Sequence, residues 1–132
     1  MSSERAWVYT RYHKDYIAAR NRQEFLEKRA RLDGYEVVGS CIDRGHYPSR
    51  RDGYSRMMRD IKNGTVDVIY IARLGDISHS EWRLFSFFRK LSRSGVVAHM
   101  PDRSLWDYVS RYAFGRRMER LALKKKGALP WR

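Results

Sequence analysis

The side chains of this chain that could do chemistry are His13, His46 and His79, Asp43 and Asp76, and a large set of arginines. Imidazole with carboxylate is a donor set for a transition metal, and a metal held there would supply the charge that phosphodiester hydrolysis needs. The spacing of these residues matches no local metal signature, so only the fold could gather them. The alternative is three neutral histidines lining a site that takes no metal and no other cofactor, and that is the reading adopted. The single cysteine, Cys41, excludes an internal disulfide and a cysteine-built zinc site. Beside Val38 and Ile42 in an alternating run, it reads as a buried, inert thiol. Ser78 and Ser80 read as turn residues, and His99 as a core or edge-strand histidine.

The basic residues narrow the choice of partner. Of 28 Lys and Arg, 21 are Arg, and with 15 Asp and Glu the net charge is +13. Solubility alone is served by a net charge of about 2–8 in a small domain. The planar guanidinium fork matches phosphate, so the excess points to nucleic acid. Residues 107–132 hold +6 of the total and residues 1–106 hold +7, which describes a basic arm on a milder body. Within the arm, Arg116, Arg117, Arg120 and Lys124, Lys125 and Lys126 suit contacts to backbone phosphates, the bland alternative being a solvated helix face. With 132 residues, 42% hydrophobic, there is material for one packed core. No apolar run approaches the roughly 18 residues of a membrane span, and the start lacks a signal-peptide layout. A cytoplasmic protein without a membrane partner is expected.

The elements that must position these residues alternate along the chain. Ala6–Thr10, Tyr35–Ile42, Val66–Ile71 and Val96–Met100 read as strands, the third buried on both faces. Helices are predicted over about Ala18–Leu32, Tyr54–Lys62, Glu81–Ser94 and Trp106–Lys126. Expected core residues are Phe25, Leu26, Ala30 and Leu32, then Met57, Met58 and Ile61, then Leu84, Phe85, Phe88 and Leu91, with Trp82 and Phe87 also packed inward, although this surplus of aromatics on one helix leaves room for a partner surface. Gly34, Gly64 and Gly95 fit the ends of the first three helices, and Gly115 suggests a bend in the last. This order predicts a small, mostly parallel α/β sheet flanked by helices, residues 1–105, followed by a long basic C-terminal helical arm, 106–132. Functional loops in such sheets lie at the carboxyl ends of the strands, here Arg11–Ile17, Asp43–Gly53, Arg73–Ser80 and Pro101–Asp107. His13, His46 and His79 each fall in a different one.

Common α/β phosphate sites are missing. No Gly-rich turn follows the first strand, no Walker pattern occurs, and Arg11-Tyr12-His13 stands where a phospho-acceptor receiver would carry acidic residues. The loops read Tyr9-Thr10-Arg11-Tyr12-His13, then Asp43-Arg44-Gly45 with Arg51-Asp52-Gly53, then Leu74-Gly75-Asp76-Ile77-Ser78-His79-Ser80. In this order they resemble the catalytic domain of the serine recombinases, the resolvase/invertase family. Its loops carry Tyr-x-Arg-x-Ser, Asp-x-Gly followed by an Arg, and Leu-Asp-Arg-Leu-Ser-Arg-Ser. The resemblance covers about residues 6–126.

That resemblance implies a resolvase-like fold and a DNA partner. It also implies a serine hydroxyl that attacks the phosphodiester to form a phosphoserine without metal, helped by a cluster of arginines. The family's active-site positions fall on Arg11, His13, Asp43, Arg51, Asp76 and His79. The nucleophile position is His13, the motif Asp is Gly75, and Asp76 and His79 replace two arginines. Losing one preorganised donor costs on the order of 10²–10³ in rate. A reversed unit charge about 4 Å from phosphate costs roughly 4 kcal/mol at an effective dielectric of about 20. The last helix of the family carries a dimer contact, in which Trp106, Tyr108 and Tyr112 would share, and then crosses the DNA minor groove. DNA contacts are therefore expected from Arg11, Arg51 and the arm. The expected function is a recombinase-like DNA-associated protein without strand cleavage, as a homo-oligomer or assembled with an active recombinase. The alternatives are a metal-assisted phosphodiesterase at His13, His46, His79, Asp43 and Asp76, and a protein-interaction module with an acidic partner.

Overall fold

The structure is a computed structural model that describes residues 4–45, 51–102, 104–105, 109–125 and 129–131. Four parallel strands, β1 (Arg5–Tyr12), β2 (Glu36–Arg44), β3 (Val68–Tyr70) and β4 (Val97–His99), form one sheet in the order β2-β1-β3-β4. Helices α1 (Tyr16–Leu32), α2 (Asp52–Lys62) and α3 (Glu81–Ser94) make the crossovers, and α4 (Ala113–Lys125) follows β4. Parallel neighbours cannot be joined by a tight turn, so each strand-to-strand step takes a helix. Among the described residues no helix is long and apolar enough to cross a membrane.

The two-residue period of the strands divides the core. Ala6, Val8, Val68 and Tyr70 face Leu26 and Ala30 of α1 on one side of the sheet. Trp7, Tyr9, Ile69 and Ile71 face the other, where Met57 and Ile61 of α2, Leu84, Phe88 and Leu91 of α3, and Phe114 and Met118 of α4 pack. Cys41 joins this larger cluster, and burial pushes its thiol up to about 12. Gly34, Gly64 and Gly95 follow the first three helices at φ of 92°, 75° and 69°, the left-handed turn expected of them.

Several expectations need correction. Phe25 and Leu32 are exposed, because α1 turns Ala19, Leu26 and Ala30 to the sheet instead. Met58 is only partly buried against the core. Trp82 is 72% exposed, on the side of α3 opposite Leu84, Phe87, Phe88 and Leu91. The predicted helix from Trp106 to Lys126 is not one helix: α4 begins at Ala113, and residues 106–108 and 126 lie outside the described residues. Leu105 and Val109 are spaced for one stripe, as are Phe114 and Met118, and all four are buried. At about 100° per residue, the five-residue step from Val109 to Phe114 would rotate the second stripe away from the first. A turn at Ser110–Tyr112 restores both to the core, with Tyr112 N–H donating to Val109 O at 3.0 Å. Gly115 does not mark a bend within α4. It permits close packing, since a β-carbon there would lie 2.0 Å from the Val109 carbonyl oxygen. Beyond α4 the chain returns to the sheet: Ala98 N–H donates to Pro130 O at 2.9 Å, and Trp131 pairs with Ala98 as a parallel bridge and packs edge-on against Phe88.

Candidate functional site

The carboxyl ends of β1 and β2, the start of α2 and the turn after β3 meet around one buried hydroxyl. Tyr9, at the core face of β1, donates from its OH to Asp43 Oδ2 at 2.8 Å. Arg51 donates to the same oxygen of Tyr9 from Nε at 3.2 Å and Nη2 at 2.9 Å. Its Nη1 donates to Ile77 O, and its Nη2 to Asp76 O, each at 2.8 Å. The guanidinium also lies 4.2 Å from the centroid of the Tyr54 ring. One arginine thus ties β1, α2 and the turn after β3 together. Burial raises the Tyr9 hydroxyl far above its ordinary range against the pull of Arg51, so it stays protonated and can donate to Asp43.

Asp43 completes the start of α2 from another element. Arg51, at the helix N-cap, makes no side-chain cap. Asp43 Oδ1 accepts Gly53 N–H and Oδ2 accepts Tyr54 N–H, both at 2.9 Å, which satisfies two donors that the helix leaves open. Gly53 allows this approach, because a β-carbon there would fall 2.1 Å from Cys41 Sγ and 2.8 Å from Asp43 Oδ1.

The remaining charges sit beside this network. Leu74–Asp76 form a 3-10 turn, with Asp76 buried inside it. Arg73 Nε donates to Asp76 Oδ1 at 2.8 Å, and among the described residues Asp76 Oδ2 has no hydrogen-bond partner. Burial raises the Asp76 carboxyl above its ordinary range, opposed chiefly by Arg73. This buried carboxylate is therefore partnered by an arginine three residues earlier. Arg11 donates from Nη2 to Gly45 O at 3.2 Å, while its buried Nε has no hydrogen-bond partner among the described residues. Burial, and then the neighbouring Arg51 charge, lower the Arg11 guanidinium from its usual value. Arg22 and Arg73 both donate to Arg11 O, at 3.2 and 3.3 Å, and pack further positive charge against the end of β1.

His13 and His79 come together at the rim, with ring centroids 6.4 Å apart and planes tilted by 35°. Each rests against a glycine: a β-carbon at Gly45 would lie 2.5 Å from His13 Cε1, and one at Gly75 would lie 2.8 Å from His79 Cε1. His46 lies outside the described residues, and among the described residues no three His, Cys, Asp or Glu side chains gather to hold a metal ion. His99 is on β4, edge-on to Tyr70 at 5.1 Å. Arg116, Arg117, Arg120 and Lys124 are exposed on α4, whereas the Lys125 side chain and Lys126 lie outside the described residues. So do Trp106 and Tyr108, while Tyr112 is half-buried and stacks on Phe114 at 5.5 Å.

Sequence reasoning missed three members of this site. Tyr9 was visible as the first residue of a motif but carried no assigned role. Arg73 could have been paired with Asp76 from their separation of three residues within a turn. Arg22 had no local signal, since its contact with Arg11 depends on how α1 crosses β1.

Comparison with known proteins agrees with this geometry. The sequence model of the resolvase N-terminal domain matches residues 6–124. The chain therefore belongs to the resolvase family, whose N-terminal domain it carries. No curated protein matches it by sequence. Its fold is similar to that of a resolvase family site-specific recombinase from Streptococcus pneumoniae, at 19% identity and TM-score 0.68, over 93% of each chain. The N-terminal catalytic domain of TP901-1 integrase gives 15% identity and TM-score 0.67 over 93% of this chain and 94% of that one. The C-terminal catalytic domain of ISC1926 TnpA, an IS607-like serine recombinase, gives 17% and 0.65 over 81% and 80%.

Proposed function

We propose that this chain is a DNA-associated member of its family that holds DNA through its backbone, with weak sequence preference, and does not carry out strand cleavage and transfer. The observation that carries the reading is the engagement of the charged groups at the strand ends. Arg51 donates to Tyr9, Ile77 and Asp76, and Asp76 stands as an Arg73-paired carboxylate where the family has an arginine. Position 13 offers an imidazole and no hydroxyl to form the family's phosphoserine. Each missing donor to the transferring phosphate costs on the order of 10²–10³ in rate.

Phosphate contacts are assigned to Arg11 and to Arg116, Arg117, Arg120, Lys124, Lys125 and Lys126, with Arg51 contributing its charge from within the network. Residues 1–105 serve as the α/β body and 106–132 as the basic segment. The protein acts in the cytoplasm as a homo-oligomer, or in a hetero-oligomer with an active recombinase. Incubation with supercoiled plasmid tests this. Binding that weakens steeply with salt is expected, with no nicking and no covalent adduct. His13→Ser alone is expected to stay inactive, because Gly75, Asp76 and His79 still replace the family's charged residues. Phosphoserine-linked DNA from that variant would overturn the reading.

A second reading, a metal-assisted phosphodiesterase, is favoured by the approach of His13 to His79. Nicking that requires added Mn²⁺ or Zn²⁺ would select it over the first.

A further inference from the structure

We propose that the α3–α4 face binds single-stranded DNA, with Trp82 as a platform on which an unpaired base stacks. Trp82 is 72% exposed, second among the large hydrophobic side chains of the described residues only to Leu32 at 73%. It lies between two grooves. One, of about 540 Å³, runs between α3 and α4 past Phe85 and Phe114 and is lined by Arg117 and Arg120. The other, of about 140 Å³, lies along α3 and is lined by Arg89, Lys90 and Arg93. Five cations thus flank one exposed indole. Among the described residues Arg89, Lys90, Arg93 and Arg120 make no ion pair, and Arg117 only caps the Phe85 ring at 5.5 Å. Among the described residues the one carboxylate lining the grooves, Glu81, accepts the Phe114 N–H at 3.0 Å. The indole plane is supported from below by Phe85, stacked at a centroid distance of 6.1 Å.

A ring plane presented between cations fits a ligand that is both polyanionic and flat. Single-stranded nucleic acid is bound in this way, the groove following the backbone and the aromatic ring taking a base. Duplex DNA does not fit the stacking platform, since its base faces are covered by neighbouring bases, although its backbone can still meet Arg117 and Arg120. A second copy of the same face fits poorly too. A two-fold contact would bring both sets of five cations into one interface, where Glu81 is the one carboxylate among the described residues that line it. The choice of DNA over RNA rests on the DNA-holding reading above; the stacking platform itself does not.

Titration of the protein with a dT12 oligonucleotide tests the proposal, read by tryptophan fluorescence and anisotropy at low salt. Of the other three tryptophans, Trp7 and Trp131 are 2% and 4% exposed and Trp106 lies outside the described residues, so the readout is the part of the quenching that disappears in Trp82→Ala. The expected result is saturable quenching of the wild-type protein. In Trp82→Ala, dT12 binding should weaken about 5- to 150-fold while duplex binding stays within about twofold, and Trp82→Phe should recover part of the loss. Unchanged dT12 binding by Trp82→Ala would overturn the platform. Duplex binding without dT12 binding would overturn it and leave the DNA-holding reading intact, whereas binding to neither would overturn both. Equal or tighter binding of rU12 would overturn the assignment to DNA. A Trp82-dependent dimer by sedimentation, with no dT12 quenching, would give the face to a second copy.

Discussion

The arginines at the strand ends and the arginines of the α3–α4 face do opposite things with the same guanidinium. Arg51 spends its donors on one tyrosine and two carbonyls, and Arg73 spends Nε on Asp76. Arg89, Arg93 and Arg120 are exposed and make no ion pair among the described residues. The first group is structural charge that holds loops in place, and the second is charge left for a ligand. A net charge of +13 therefore overstates what the strand ends offer a phosphate and locates much of it elsewhere.

The contrast can be broken most severely at Arg51. Arg51→Ala removes four charge-assisted hydrogen bonds and leaves Tyr9 and two carbonyls without their partner. A loss of at least about 3 kcal/mol in urea unfolding is expected, and a loss under about 1 kcal/mol would contradict the structural role. Gly115→Ala tests the seat of α4 independently of charge. Its β-carbon would meet the Val109 carbonyl, and a destabilisation of about 1–3 kcal/mol is expected from overpacking.

Asp76 gives a pH-dependent test. Its folded carboxyl is raised by burial, so the native state holds this proton more tightly than the unfolded chain does. By linkage, its contribution to stability falls as pH rises from about 3.9, the ordinary value, through the raised one, and stays lost above it. Asp76→Asn should therefore gain on the wild-type protein across that window in thermal melts at stepped pH. A constant difference between the two would show that Arg73 compensates fully. The smallest effect is expected from Arg93→Ala, within about 0.5 kcal/mol of wild type in stability, with its consequence confined to nucleic-acid binding.

How much was legible depended on the range of the signal. Helix α3 was read residue for residue, because Gly95 ends it and Leu84, Phe88 and Leu91 mark its inner side, while Ser80, read only as a turn residue, proves to be its cap. The position of Trp82 was misread, since a helical stripe places residues relative to one another but not relative to what covers them. The break before α4 was missed for a related reason. Glycine at 115 signalled something unusual, yet whether it bends the chain or admits a carbonyl is decided by Val109. Arg11, Asp43 and Arg51 were found as motif residues, while the partners that engage them were not. Tyr9 and Asp43 are 34 residues apart, and Arg51 and Ile77 are 26 apart.

Local order thus came from the amino acids alone: strand alternation, helix ends, an arginine-rich charge balance, and the loops Arg11–Ile17, Asp43–Gly53 and Arg73–Ser80. These follow from side-chain volume, backbone preference and formal charge, which each residue carries wherever it is placed. What each charged group does came only from folding. A guanidinium binds carbonyls, a tyrosine or a phosphate with similar geometry, and burial and the nearest acceptor decide among them. Packing made Arg51 a brace and Asp76 the partner of Arg73, and it left Trp82 exposed beside Arg89, Arg93 and Arg120, which make no ion pair among the described residues.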